Sequence, residues 1–341
     1  SSRGLGDVYK RQILFLFKWI WFLMAHNIIA TTTSLGTYVK LPQAGSGGTE
    51  SETISGGVKY AVHTFTSTGN TNFVLTRPVS GLQLLMVAGG GGGGTDNSGG
   101  GGAGGLAYYG TETPTNRTTP NGGNQTWTNG TYVVTVGGGG NGGGNVVNTA
   151  ASNGQDSQVN GPSFNQTVKG GGAGGTGNTN MYDGNDGGSG GGAAHEGTQG
   201  VKGSGNLGGN VGNAVQGFDG GDGANGAGGG GGGAGAVGQD GNVRGTNLGG
   251  NGGVGLEYSI SGSAQFYAAG GGGGNENHVY NQAARASGIG GQTNPSQNQP
   301  CTDGIVNTGS GGGGVTHPTV AANGTYAGDG ASGIVIIRYP L

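Results

Sequence analysis

The feature that most constrains this chain is a glycine-dense middle running from Ala88 to about Ala331. It opens after Leu84-Leu85-Met86-Val87-Ala88 with six glycines and closes just before Gly333-Ile334-Val335-Ile336-Ile337-Arg338-Tyr339. A glycine inside a helix or strand costs roughly 0.5–1 kcal/mol relative to alanine. Fixing each residue's backbone costs about 1–2 kcal/mol more. Glycine has no side chain whose burial would offset either cost. The stretch is therefore unstructured, or it is held by its own backbone groups.

Composition narrows the choice. Of 341 residues 93 are glycine, but only nine are proline and no Gly-X-Y period runs through the chain. A collagen triple helix needs both features, so it is excluded. Charged residues are 9%, too few for a chain kept disordered by charge. Structureless loops of this length are uncommon in compact domains. An extended helix with three residues per turn makes no internal hydrogen bonds, so its N–H and C=O groups point outward in three directions. Such helices can bond to their neighbours if they pack closely, and only glycine permits that approach. Gly170-Gly171-Gly172-Ala173-Gly174-Gly175, Gly228 to Gly233 and Gly270 to Gly274 suit interior helices. Asn185-Asp186-Gly187-Gly188-Ser189-Gly190 suits an edge helix with one wet face.

Strand signals frame the middle. Lys59 to Ser67 is rich in β-branched and aromatic residues. Thr68-Gly69-Asn70 is read as a turn, with Asn72 to Thr76 as the hairpin partner. Arg77-Pro78 ends that strand. Gly81 to Ala88 is almost continuously apolar, as in a strand covered on both faces, and its flanking glycines favour strand over helix. Further candidates are Leu106–Tyr109, Thr131–Val136, Gln158–Val168, Ala264–Ala268 and Ile334–Tyr339. Leu256 to Ser261 alternates, with Leu256, Tyr258 and Ile260 on one face. Pairing of the terminal strand with the early ones would make the glycine middle a long insertion.

The expected organisation has three parts. Residues 1–23 are read as a leader. Asp7 to Gln12 is what one reading frame of a transposon-end sequencing adapter would encode, so Ser1 to Gln12 is expected to be library-derived. Ile13 to Leu23 is either a signal-peptide core or translation ahead of Met24. That apolar run is shorter than the roughly 20 residues needed to span a bilayer. Residues 24–58 form an N-terminal attachment segment. Residues 59–341 form the glycine-rich domain, with strands within 59–88, 131–136, 255–268 and 333–339.

His63-Thr64-Phe65-Thr66-Ser67, the Leu85-Met86-Val87-Ala88-Gly89-Gly90-Gly91-Gly92 junction and Tyr132-Val133-Val134-Thr135-Val136-Gly137-Gly138-Gly139 occur in that order. They are followed by Asn307-Thr308-Gly309-Ser310-Gly311-Gly312-Gly313-Gly314 and by the terminal Ser332 to Tyr339. This succession resembles the glycine-rich domain of phage tail and tail-fibre adhesin-like proteins, over roughly Lys59 to Tyr339. The resemblance implies an all-β fold: a jelly-roll-like β-sandwich with a long glycine-rich insertion forming a polyglycine II helix bundle. It also implies a non-catalytic protein at a virion tail tip or other extracellular surface. Its receptor-binding loops would meet a host cell-surface glycan or outer-membrane protein, with other tail-fibre proteins as a further class of partner. Ser310, which interrupts the late glycine run, departs from the pattern.

Aromatic and polar residues at breaks between glycine runs are the candidate receptor contacts: Tyr108, Tyr109, Trp127, Tyr182, His195, Phe218, His278 and Tyr280. Their alternative role is to cap the glycine bundle or fill the β core. No cofactor, metal or catalytic set is expected. The GxGxxG matches open no helix within a βαβ unit, and the Asp219–Asp222–Asp240 region lacks a repeated nonapeptide. His195-Glu196 has no nucleophile nearby, and Cys301 is the one cysteine. A net formal charge of −3 disfavours nucleic acid, and no membrane span is expected. The alternative class is a structural surface or matrix protein, or an ice-binding one, although the threonines are irregularly spaced.

Overall fold

The computed structural model describes residues 43–116, 122–144, 149–177, 181–196, 198–211, 215–224, 226–241, 248–275, 286–293, 300–316 and 327–341, and a short pair of strands at 28–29 and 39–40. In chain order the strands begin with β1 (Ile28–Ile29), β2 (Val39–Lys40), β3 (Gly45–Ser46), β4 (Thr49–Ser55), β5 (Val58–Phe65), β6 (Gly69–Leu75) and β7 (Val79–Val87). Next come β8 (Leu106–Tyr109), β9 (Gln125–Trp127), β10 (Gly130–Val136), β11 (Ser157–Gly161) and β12 (Phe164–Val168). The last are β13 (His195–Glu196), β14 (Thr198–Gln199), β15 (Leu256–Tyr258), β16 (Gln265–Tyr267) and β17 (Ile334–Pro340).

The fold is all-β and its strand pairings are antiparallel. One sheet has the order β4-β5-β17-β7-β8, with β9 also on β7, and a second has the order β12-β11-β10-β6-β3. The terminal strand lies between two early ones, with Val335 opposite both Phe65 and Met86. The glycine segments are thus inserted between β7 and β17.

Phe65, Leu84, Met86, Trp127 and Ile337 of the first sheet share one buried cluster with Phe73, Tyr132, Val134 and Val159 of the second. The other face of the first sheet buries Leu85, Val87, Ile334 and Ile336 against Leu256, Tyr258, Ile260 and Tyr267. Strands β7 and β17 are therefore covered on both sides, which is why their sequences run apolar without alternation. In β15 the alternation survives, with Leu256 and Tyr258 buried and Glu257 exposed.

Two local expectations are corrected. Strands β5 and β6 do not form a hairpin: β6 pairs with β10 in the second sheet, Phe73 opposite Tyr132. Both edges of β5 are occupied by β4 and β17, so the turn at Ser67-Thr68 carries the chain across the core. There Phe65 and Phe73 meet edge to face at 6.2 Å. The hairpin partner of β5 is β4, joined through Gly56 and Gly57 at φ 58° and 78°, the left-handed pair that suits a two-residue hairpin. Residues 45–55, assigned above to an attachment segment, thereby contribute strands to both sheets.

The glycine segments bond through their backbones with a period of three. Along 88–94, the N–H groups of Ala88, Gly91 and Gly94 donate to the carbonyls of Gly105, Gly102 and Gly99. Those of Gly89 and Gly92 donate to Gln155 and Ser152, and those of Gly90 and Gly93 to Ala331 and Gly328. In return, the carbonyls of Gly89 and Gly92 accept from Gly171 and Gly174, those of Gly90 and Gly93 from Gly140 and Gly143, and that of Gly91 from Gly312. One segment thus has six neighbours, three antiparallel through its donors and three parallel through its acceptors. The run at 228–233 repeats the scheme, with Gly228 and Gly231 donating to Gly274 and Gly271, Gly229 and Gly232 to Ala193 and Gly190, and Gly230 and Gly233 to Gln239 and Ala236. This pairing satisfies buried donors that would otherwise be costly.

Close packing requires glycine. A Cβ at Gly91 would lie 2.1 Å from the carbonyl oxygen of Gly172, and one at Gly231 would lie 2.0 Å from that of Gly101. At the bundle's edge, side chains replace missing backbone acceptors at the same three-residue step. Asp183 and Asp186 accept from the N–H groups of Val201 and Ser204, while Asp222 and Asp219 accept from those of Lys202 and Gly205. These aspartates therefore close hydrogen bonds along the wet face.

Candidate functional site

The bundle has two distinct ends. Ala88, Gly137, Lys169, Ala268 and Gly333 adjoin strands and mark the sheet end. At the opposite end the chain reverses after Gly94, and Gly99 donates to Gly175, Gly274 to Ser98, Val315 to Gly94 and His195 to Asn97. Asp96 and Asn97 make this reversal with positive φ of 65° and 42°, a conformation that Asp and Asn tolerate better than most residues. Ser98 is fully buried beneath it: its Oγ donates to the Gly94 carbonyl at 2.7 Å and accepts from the Val315 N–H at 2.7 Å.

Tyr182 and His195 both lie at this far end. Ala194 N–H donates to the Tyr182 carbonyl at 2.7 Å, and His195 Nδ1 accepts from the Gly226 N–H at 2.9 Å. Nδ1 is therefore the unprotonated nitrogen. The Val201 N–H bonds to Asp183 at 2.7 Å, and the Gly184 N–H to the Val201 carbonyl. This pairing brings Val201 beside the Met181–Tyr182 corner. Met181 is 47% exposed and Val201 63%, while Tyr182 is half-buried. The two backbones lie side by side here, next to Asp183 and the Lys202–Asp222 ion pair (3.6 Å). The described residues here offer contact surface and hydrogen-bonding groups.

The other candidates lie elsewhere. Tyr108, Tyr109 and Trp127 are 1%, 5% and 0% exposed and pack the two cores, which places them out of a receptor's reach. Trp127 stacks on Tyr132 at 4.4 Å, and Tyr109 meets Phe164 edge to face at 5.1 Å. Burial pushes the Tyr109 phenol up to about 12. Phe218 is half-buried toward the sheet end, its N–H donating to Gly233 and its carbonyl accepting from Gly190. His278 and Tyr280 lie outside the described residues.

Sequence reasoning missed two buried polar clusters. Arg338, 3% exposed within the apolar run of β17, donates from Nε to Gln83 at 2.9 Å, and from its terminal nitrogens to the Ser259 carbonyl at 3.2 Å and to Glu112 at 3.0 Å. Tyr108 also donates to Gln83, at 3.0 Å, and its phenol is pushed up, first by burial and then by the Glu112 charge. The second cluster is His63, fully buried and stacked on Tyr339. Its Nδ1 faces the Gly47 carbonyl at 2.9 Å and its Nε2 the Tyr339 hydroxyl at 3.3 Å, while that hydroxyl accepts from the Gly45 N–H at 2.7 Å. The one available signal was a charge inside the apolar run at Ile334–Tyr339 and an imidazole inside the aromatic, β-branched strand at Lys59–Ser67.

Among the described residues no helix is long and apolar enough to cross a membrane. A protein family described as Glycine-rich domain matches residues 64–340. Comparison with curated proteins found no match.

Proposed function

The chain belongs to the glycine-rich domain family, and we propose that it is a non-catalytic, adhesin-like binding protein of the phage-tail kind. In this reading the two facing sheets are a jelly-roll-like sandwich and the glycine segments are polyglycine II helices. The bundle is a rigid spacer that presents its far end to a host cell-surface glycan or outer-membrane protein, at a virion tail tip or another extracellular surface. The observation that carries the reading is the bundle's polarity. Its three-residue hydrogen-bond scheme begins at the strands and ends in chain reversals bearing Met181, Tyr182 and His195. Such a scheme makes a stiff support from residues with no side chains, leaving the reversals to vary in sequence without disturbing it.

The test is adsorption of the labelled protein to a panel of bacterial cells and a glycan array, with a Met181→Ser, Tyr182→Ala, His195→Ala triple variant alongside. The expected result is saturable adsorption to some surfaces, abolished or reduced by the variant at unchanged melting temperature. Adsorption to none, or adsorption indifferent to the triple change, would overturn the reading.

A further inference from the structure

A cleft of about 300 Å³ opens on the sheet end of the molecule, away from the far-end reversals. One wall is the segment 112–116 and the other is the outward face of the β15–β16 hairpin. Register fixes that outward face. Glu257 pairs with Phe266, and Leu256, Tyr258 and Tyr267 point the other way into the core. Ser259, two residues beyond Glu257, is exposed on the same side.

Glu112 fastens the two walls together. One carboxylate oxygen accepts from the Ser259 N–H at 2.6 Å and the other from Arg338 at 3.0 Å. Arg338 has a side chain only 4% exposed, so it neutralises Glu112 from behind without offering a cation to the cleft. The lining that remains is hydroxyl-rich at Thr113, Thr115 and Ser259, carries one carboxylate at Glu257 and offers one aromatic at Phe266, 36% exposed. No lysine or arginine is among the described residues that line it.

We propose that this cleft binds one neutral sugar residue. Hydroxyls and a carboxylate are acceptors and donors suited to sugar hydroxyls, and an exposed aromatic ring suits the apolar C–H face of a pyranose. Among the described residues that line the cleft, none is a cation that would answer an anionic ligand beside Glu257. The volume is at the small end of ligand sites, matching one ring rather than a chain. Because the backbone amide of Ser259 and the buried guanidinium both hold Glu112, the walls stand preformed and little ordering cost falls on binding.

The test is saturation-transfer NMR on the full chain with methyl glucoside, methyl galactoside and N-acetylglucosamine, alongside glucuronate and tetramethylammonium as charged probes. Transfer to at least one neutral sugar and none to glucuronate is expected. Phe266→Ala should weaken that binding about tenfold or more, the cost of removing an aromatic anchor, and leave melting unchanged because the ring is partly exposed. Met181→Ser should leave it intact, so failure of the far-end reading and failure of this one are separable. No transfer to any neutral sugar, transfer to tetramethylammonium in their place, or binding unaffected by Phe266→Ala would overturn the proposal.

Discussion

Replacing Gly231 by alanine adds a single methyl group at the middle of the bundle. Its N–H donates to Gly271 and its carbonyl accepts from Gly253, each at 2.8 Å. The new Cβ would stand 2.0 Å from the Gly101 carbonyl oxygen, where ordinary contact begins at 3.4 Å. The neighbouring segment must therefore retreat by roughly an ångström or more, since its atoms are backbone and have no rotamer to change. That retreat breaks the Gly100→Gly229 and Ala103→Gly232 bonds, now 3.0 and 2.9 Å. A buried donor or acceptor left unpaired costs about 1–3 kcal/mol, so two broken bonds cost about 2–6 kcal/mol. Alanine returns about 0.4–1 kcal/mol by reducing the freedom of the unfolded chain. The net destabilisation is about 1–5 kcal/mol.

Gly138 is the matched control. A Cβ there would first meet the side-chain oxygen of Gln155, at 3.2 Å, and that amide can turn aside. With no backbone clash the unfolded-state term decides, and Gly138→Ala should be neutral or stabilising by up to about 1 kcal/mol. The assay is urea unfolding, comparing midpoints at constant slope. Equal midpoints for the two variants would refute the packing argument, because only the backbone clash distinguishes them.

The remaining expectations concern the sheets. Trp127→Ala should cost about 3–5 kcal/mol in thermal or chemical unfolding, as befits a core residue; a loss of cell adsorption at unchanged stability would contradict that role. Arg338→Ala, which breaks a buried ion pair and leaves Gln83 and Glu112 short of a donor, should cost about 3 kcal/mol or more by denaturant titration, whereas loss of less than about 1 kcal/mol would place the pair among surface pairs. Burial holds the His63 imidazole below its ordinary value of 6.5, so its stabilising contribution is complete above that value. It is lost as pH falls from 6.5 through the lower folded value, at no more than about 1.4 kcal/mol per pH unit. His63→Gln should flatten that part of the stability–pH curve measured by urea unfolding, and an unchanged slope would exclude His63 as its source.

Much of the framework is legible in the sequence because it rests on side chains. The apolar runs ending at Val87 and beginning at Ile334 are neighbours in one sheet, and the alternation at Leu256–Ile260 reports one buried face. Strand partners were less legible. The Phe65 and Phe73 segments look like two arms of a hairpin, yet the aromatic rings meet across the core rather than along one sheet. A period-two pattern reports which face is buried and not which strand lies alongside.

The glycine segments could be read as close-packed from composition, but their neighbours could not, because one glycine run looks like another. Aspartates at a three-residue step, Asp183 with Asp186 and Asp219 with Asp222, were the local mark of an edge. The candidate contacts divide for a related reason. An aromatic residue near a glycine run has a similar local sequence whether it lies at the bundle's far end, as Tyr182 does, or within a core strand, as Tyr108 does.

The central claim is that glycine segments with almost no side chains are ordered by backbone hydrogen bonds to several neighbours at once. Site-resolved amide hydrogen exchange at Gly91 and Gly231 tests it most directly. Both amides are enclosed and donate within the bundle, so they should exchange only when the molecule opens globally, with protection matching that of Val87 and Ile336 in the sheet. Exchange at Gly91 and Gly231 at the rates of an unstructured glycine chain, while Val87 and Ile336 remain protected, would contradict the account.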